Sequence, residues 1–260
     1  MNLRVLRATS LLILLLSVSS CATKKDVVYF QNAKDFETIV DTDTFKAKLK
    51  VGDILTIYVS TLDPTVAQPY NILTRTGGEN GGGGQLLDFL VDVEGNIDYP
   101  VLGKIKLAGL TIEEAKQLLK SKFSEGELLK DPVIIIRLLN FRVTVGGEVR
   151  APGVYPVTGE RVTILEALGM AGDLTIKGRR DNVLVIRDFN GAKTYTRIDL
   201  TSKEVFNSPV YYLTQNDYIY VEPNHSGVSL ASGDARIATI VSITSFLVTS
   251  ALIFVTRIQN

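Results

Sequence analysis

Two kinds of hydrophobic pattern run along this chain. In its body, short runs of β-branched and aromatic residues are punctuated by Gly, Pro, Asn and Asp, the pattern of strands and turns. Leu49-Lys50-Val51-Gly52-Asp53 supplies a turn, and the residues after it, Ile54 to Val59, favour a strand. Phe89 to Val93, the turn Glu94-Gly95-Asn96 and Ile97 to Pro100 read as a hairpin. Thr111 with Glu114 three residues later forms a capping box, and Ile112, Ala115, Leu118 and Leu119 share the apolar face of the helix that follows. Asp131-Pro132 closes this unit. The nearly unbroken apolar run Val133 to Leu139 predicts a strand buried on both faces.

A second unit opens near Phe141. Val143 to Val149 reads as strand and bend, and Ala151-Pro152-Gly153-Val154-Tyr155 turns into another strand. Thr163 with Glu166 makes a second capping box, Ile164, Leu165, Leu168 and Met170 give the helix its apolar side, and Gly172 ends it. Strands follow at Asn182 to Arg187, Tyr195 to Ile198 and Tyr218 to Val221. The units echo each other: Leu110-Thr111-Ile112-Glu113-Glu114-Ala115 parallels Val162-Thr163-Ile164-Leu165-Glu166-Ala167, and Leu49 to Val59 parallels Leu213 to Val221. The expected fold is α+β, two small β-grasp-like α/β sandwich units followed by a C-terminal transmembrane helix.

The ends differ from the body. Arg4 and Arg7 precede an apolar run, Leu11 to Leu16, and then small residues, the pattern of a secretory signal over residues 1–20. Residues 21–44 read as a polar leader, 45–140 and 141–223 as the two units, and 224–236 as a linker. Ile237 to Thr256 carries no charge. As a helix it would span about 30 Å, the apolar thickness of a bilayer. At 100° per residue, Thr239, Ser242, Ser245, Thr249 and Thr256 gather loosely on one side. Ile240, Ile243, Leu247 and Phe254 lie roughly opposite. The hydroxyl stripe suits a wet lumen or close helix contacts and the apolar stripe suits lipid; a simple anchor is the plainer alternative.

Composition narrows the chemistry. With 28 Lys+Arg against 28 Asp+Glu the net charge is zero, which argues against a nucleic-acid partner. The single histidine, His225, sits in the linker, and the single cysteine is Cys21. No nucleophile elbow and no Cys/His cluster is present, so neither catalysis nor a metal or other cofactor is expected. Glu113–Glu114 and Asp92–Glu94 are explained by a cap and a turn. Gly77 to Gly84 lacks the Lys-Ser/Thr of a phosphate loop and reads as flexible. Lys177 to Asp181 reads as a solvated turn, with a subunit contact as the alternative.

Val18-Ser19-Ser20-Cys21 resembles the lipobox of bacterial lipoproteins, which implies that Cys21 is the lipid-attachment residue. Leu49-Lys50-Val51-Gly52-Asp53, Val91 to Ile97, Pro100, Gly103 and Gly109-Leu110-Thr111 resemble a polysaccharide export domain (45–140). Val145-Gly146-Gly147-Glu148-Val149, Pro152-Gly153-Val154-Tyr155 and Ala171-Gly172-Asp173 resemble a soluble-ligand-binding β-grasp (SLBB) domain (141–223). In this order they resemble the Wza-type outer-membrane polysaccharide export lipoproteins. The largest of those proteins carry two or more SLBB domains; one is found here.

The resemblance implies a homo-oligomeric ring in the outer membrane with its body in the periplasm and its C-terminus at the cell surface. Its cargo would be a capsular polysaccharide or exopolysaccharide, and its partner an inner-membrane polysaccharide co-polymerase. The competing reading is a monomeric periplasmic lipoprotein that binds a soluble sugar or cofactor through the SLBB domain.

Overall fold

A computed structural model describes residues 27–38, 46–75, 84–189, 191–231, 239–246 and 248–250. The body is mixed α and β with several sheets around two buried clusters.

In the first unit, strand β1 (Ile54–Ser60) is followed by a short helix α1 (Pro64–Ala67) and the small strands β2 (Leu73–Arg75) and β3 (Gly84–Leu86). Then come β4 (Asp88–Leu90), β5 (Asn96–Tyr99), β6 (Gly103–Lys106), helix α2 (Ile112–Glu125) and β7 (Val133–Leu138). β1 is the centre of an antiparallel sheet ordered β4-β1-β7. Alternation puts Leu55, Ile57 and Val59 inside with Phe89, Ile134 and Ile136. Ala115, Leu119 and Phe123, at helical spacing on α2, close the cluster at 0% exposure. Burying each large side chain contributes about 1.5–3 kcal/mol.

Two expectations change here. The hairpin between 89–93 and 97–100 does not form: β4 pairs with β1, and β5 pairs instead with β6. The turn at Asp92–Gly95, closed by the Gly95 N–H on the Asp92 carbonyl (2.9 Å), redirects the chain between sheets. The hairpin turn lies at Pro100–Leu102, with Val101 at φ 66°. β7 is buried on one face only: Ile134 and Ile136 point in, while Val133 (61% exposed) and Ile135 (42%) point out. Its run looked unbroken because the outward positions are apolar as well.

The second unit comprises β8 (Arg142–Gly147), β9 (Gly153–Pro156), helix α3 (Ile164–Met170), β10 (Gly178–Phe189), β11 (Ala192–Ile198), β12 (Tyr218–Pro223) and helix α4 (His225–Ala231). Its five strands are ordered β11-β10-β12-β8-β9. Neighbours are antiparallel except β12 and β8, which are parallel. Val143, Val145, Val183, Val185, Ile219 and Val221 line the inner face against Ile164, Ala167 and Leu168 of α3.

Both capping boxes are present. Thr111 Oγ1 accepts from the Glu114 N–H while Glu114 Oε2 accepts from the Thr111 N–H, and Thr163 and Glu166 repeat the arrangement. The linker expected over 224–236 contains α4, which starts at His225.

Among the described residues no helix is long and apolar enough to cross a membrane. Residues 239–246 and 248–250 are helical. The other positions of the expected span, and Gly77 to Gly83 of the glycine run, lie outside the described residues.

Candidate functional site

The sequence echo is a geometric repeat. In the first unit the Leu49 N–H donates to the Leu110 carbonyl (2.8 Å), and in the second the Leu213 N–H donates to the Val162 carbonyl (2.9 Å). Asp53 Oδ2 accepts the Lys50 N–H (2.8 Å), and Asp217 Oδ2 accepts the Thr214 N–H (2.7 Å). The residue before each aspartate is left-handed, Gly52 at φ 86° and Asn216 at φ 64°, as such a turn requires. Each turn therefore bridges a strand start to the residue before the N-cap of the helix packed on the same sheet.

The two turns meet at the junction of the units. Lys50 Nζ reaches Thr214 Oγ1 (3.0 Å), the Asp188 carbonyl (3.1 Å) and the Gln215 carbonyl (3.3 Å). Asn140, on the connection between β7 and β8, accepts the Ile54 N–H (3.0 Å) and donates to the Gly52 carbonyl (2.9 Å). Gln215 then bonds the Asn140 carbonyl (2.6 Å) and the Arg142 N–H (2.8 Å). Burial lowers the Lys50 ammonium below its ordinary value, and burial raises the Asp53 carboxyl.

Beside this junction lies a cleft of about 580 Å³. Lys48, Arg137, Phe141, Thr158, Glu160 and Gln215 are among its walls. It has charges of both signs, and no group of three or more His, Cys, Asp or Glu side chains among the described residues is placed to hold a metal.

The leader is less polar in its role than its composition suggests. Tyr29 and Phe30 pack on the second core, Phe30 against Phe206 with ring centroids 5.2 Å apart. The Phe30 N–H donates to the Leu200 carbonyl (3.2 Å) and the Gln31 N–H to the Thr201 carbonyl (2.7 Å). Asn32 bonds Ser202 and the Lys203 N–H, and Glu37 pairs with Lys203. The tyrosine hydroxyl donates to Asp173, and burial, reinforced by that carboxylate, raises the Tyr29 phenol well above its ordinary value.

The segment Asp173 to Arg180 also receives the C-terminal exit. The Asn224 N–H donates to the Lys177 carbonyl (2.6 Å) and its side chain to the Ile176 carbonyl (3.2 Å), while Asn224 Oδ1 caps α4 through the Gly227 N–H (2.9 Å). The solvated turn expected at Lys177 to Asp181 is half right. Arg179 pairs with Asp181 at the surface (2.8 Å). Arg180 is 5% exposed, covered by the Tyr29 ring at 5.6 Å and held by the Thr175, Gly178 and Leu174 carbonyls.

Of the residues singled out in the tail, Thr239, Ser242, Ser245 and Thr249 of one stripe and Ile240 and Ile243 of the other lie on described helical stretches, all exposed. Thr256, Leu247, Phe254 and Cys21, the expected lipid-attachment residue, lie outside the described residues. Thr249 Oγ1 donates to the Ser245 carbonyl (2.7 Å), so its hydroxyl is satisfied within its own helix.

Residues 42–139 match the family described as polysaccharide biosynthesis/export protein. Residues 142–197 match the SLBB domain. The chain belongs to the polysaccharide export proteins. Its relatives include the EPS I polysaccharide export outer membrane protein EpsA of Ralstonia solanacearum, 26% identical over 212 residues, which covers 75% of this chain and 54% of the relative. The protein of the same name in Ralstonia nicotianae is 32% identical over 160 residues, 57% of this chain and 40% of the relative. The chain thus spans about half the length of the curated relatives it matches. These relatives are transport proteins rather than enzymes, and their names place them in the outer membrane.

Proposed function

We propose that this export protein is one subunit of an oligomeric outer-membrane channel that carries a capsular polysaccharide or exopolysaccharide from the periplasm to the cell surface. Cys21 carries the lipid anchor, residues 45–140 form the export domain and 141–223 an SLBB β-grasp. Residues 237–256 complete a membrane-crossing helix once subunits assemble. An inner-membrane polysaccharide co-polymerase hands on the polymer.

The observation that supports this most is the convergence of both ends on one segment. Tyr29 of the leader and Asn224 at the tail exit are both fastened to Asp173–Arg180. The residues between Cys21 and Val27 can reach about 20 Å. A lipid on Cys21 and a helix beginning near residue 237 can therefore serve the same bilayer.

The tail points the same way. Ile240, Val241, Ile243, Phe246 and Val248 are each more than half exposed. So much apolar surface needs lipid or neighbouring copies to cover it. Thr244 and Thr249 return their hydroxyls to backbone carbonyls one turn back, which lowers the cost of entering lipid.

The test is complementation. In a strain lacking the gene, the full chain restores surface polysaccharide. A chain ending at residue 236, lipidated and present at the same level, does not. Restoration by the shortened chain would overturn the channel reading and leave a tethered binding protein.

A further inference from the structure

Resting on the export reading, we propose that the outer face of the second sheet is a stacking platform for the pyranose rings of the exported chain, with Tyr218, Tyr220 and Tyr195 as the contact surface. The inner face is filled by valines and isoleucines against α3. The outer face carries one cross-strand row, Tyr195, Ile186, Tyr218, Thr144 and Val154, running over all five strands. A second row is Arg197, Leu184, Tyr220 and Gly146. Tyr195 is 63% exposed, Val154 57% and Tyr218 36%, so this face is open to solvent.

Tyrosine is common in strands for packing alone, and the case rests on three further features. First, the Tyr218 and Tyr220 rings lie nearly parallel, 14° apart in plane, with centroids separated by 6.4 Å. They present similarly oriented faces at adjacent positions. Second, Gly146 lies within a strand, where glycine weakens the sheet. A Cβ there would fall inside the contact distance of Tyr218 Oη, so the missing side chain leaves the seat across which this ring leans. Third, Tyr29, Tyr99 and Tyr155 each engage their hydroxyls within the protein, whereas among the described residues those of Tyr195, Tyr218 and Tyr220 make no such bond.

A sugar ring has an apolar C–H face and a rim of hydroxyls. Aromatic faces bordered by fixed donors and acceptors complement both. The border is present: Arg197 Nη1 lies 2.8 Å from both Asn182 Oδ1 and Glu222 Oε1, and Asn182 Nδ2 lies 2.6 Å from Glu222 Oε2. The two rows together hold nine residues, well short of the roughly 20–30 residues per partner of a stable protein interface. That favours a saccharide over a second copy of the chain.

The experiment titrates full-length protein, extracted with its anchor and tail, with hexasaccharides cut from the producing cell's own surface polysaccharide. Calorimetry reads the affinity and native mass reads the assembly. The double variant Tyr218→Ala/Tyr220→Ala is expected to bind at least tenfold more weakly at unchanged native mass. Tyr195→Ala should lose about threefold, and Tyr218→Phe, which keeps the ring, should stay within twofold of wild type. If the double variant misfolds by circular dichroism, Tyr195→Ala and Tyr218→Phe decide the matter. Wild-type affinity in the double variant, no binding by wild-type protein, or a double variant that falls apart into single copies would each overturn the platform. Export is scored separately: wild-type protein that binds sugar yet fails to restore surface polysaccharide sinks the channel reading and not the platform.

Discussion

Asp53 and Asp217 occupy equivalent positions in two copies of one turn, and their surroundings have diverged. Asp217 is fully buried and takes Arg187 by both carboxylate oxygens, with the closest contact at 2.8 Å, together with the Thr214 N–H and hydroxyl. Asp53 is almost as buried, but among the described residues its carboxylate accepts only the Lys50 N–H, and burial raises its carboxyl. The lysine of its turn reaches instead to the other unit. One copy has become an internal lock within its domain. The other keeps the turn and uses its free side chain to hold the two domains together.

Loss of Asp217 should therefore cost most. Asp217→Ala takes away the buried carboxylate that holds Arg187, itself only 15% exposed, at 2.8 Å, and is expected to destabilise by about 3–5 kcal/mol. Asp53→Ala removes one hydrogen bond but also a poorly solvated carboxylate, and about 1–2 kcal/mol is expected. Thermal melting of the two variants side by side measures the gap; equal losses would mean that the turns are equivalent after all.

The N-caps test the half of the repeat that has not diverged. Thr111→Ala and Thr163→Ala should each cost about 1 kcal/mol, and by similar amounts, because both lose the same capping bond. A difference of several kcal/mol in the same melts would break the equivalence of the helices.

The smallest effect concerns the leader, which has a counterpart in neither unit. The bond from Lys203, then that from the Lys34 N–H, holds the Glu37 carboxyl below its ordinary 4.5. A lowered folded value means that this contact stabilises fully above about pH 4.5 and is lost as pH falls through the lower folded value. Hydrogen exchange at Phe30 and Gln31, corrected for intrinsic rates, should speed up at pH 3 relative to pH 7. Lys203→Met should remove most of that difference.

Much of this was legible in the sequence because it is local. Thr-x-x-Glu before an apolar stripe specifies a capped helix, and the parallel between Leu49–Asp53 and Leu213–Asp217 announces the repeated turn. What could not be read was non-local. Asn96 pairs with Lys106 and Phe89 with Leu55, and nothing near Gly95 tells a hairpin turn from a change of sheet. Tyr29 and Phe30 look like stray aromatics in a polar leader until the core around Phe206, far along the chain, is there to receive them. Arg180 looks solvated in a run of charges, and only the fold shows it enclosed. The tyrosine row was hidden for the same reason: Tyr195, Tyr218 and Val154 fall into one cross-strand row only through strand order.

The channel account stands most directly on oligomeric state. Native mass of the full-length, Cys21-lipidated protein in a membrane-like detergent should give a closed multiple of the single-chain mass that is lost when residues 237–260 are removed. Single copies in both preparations would contradict it.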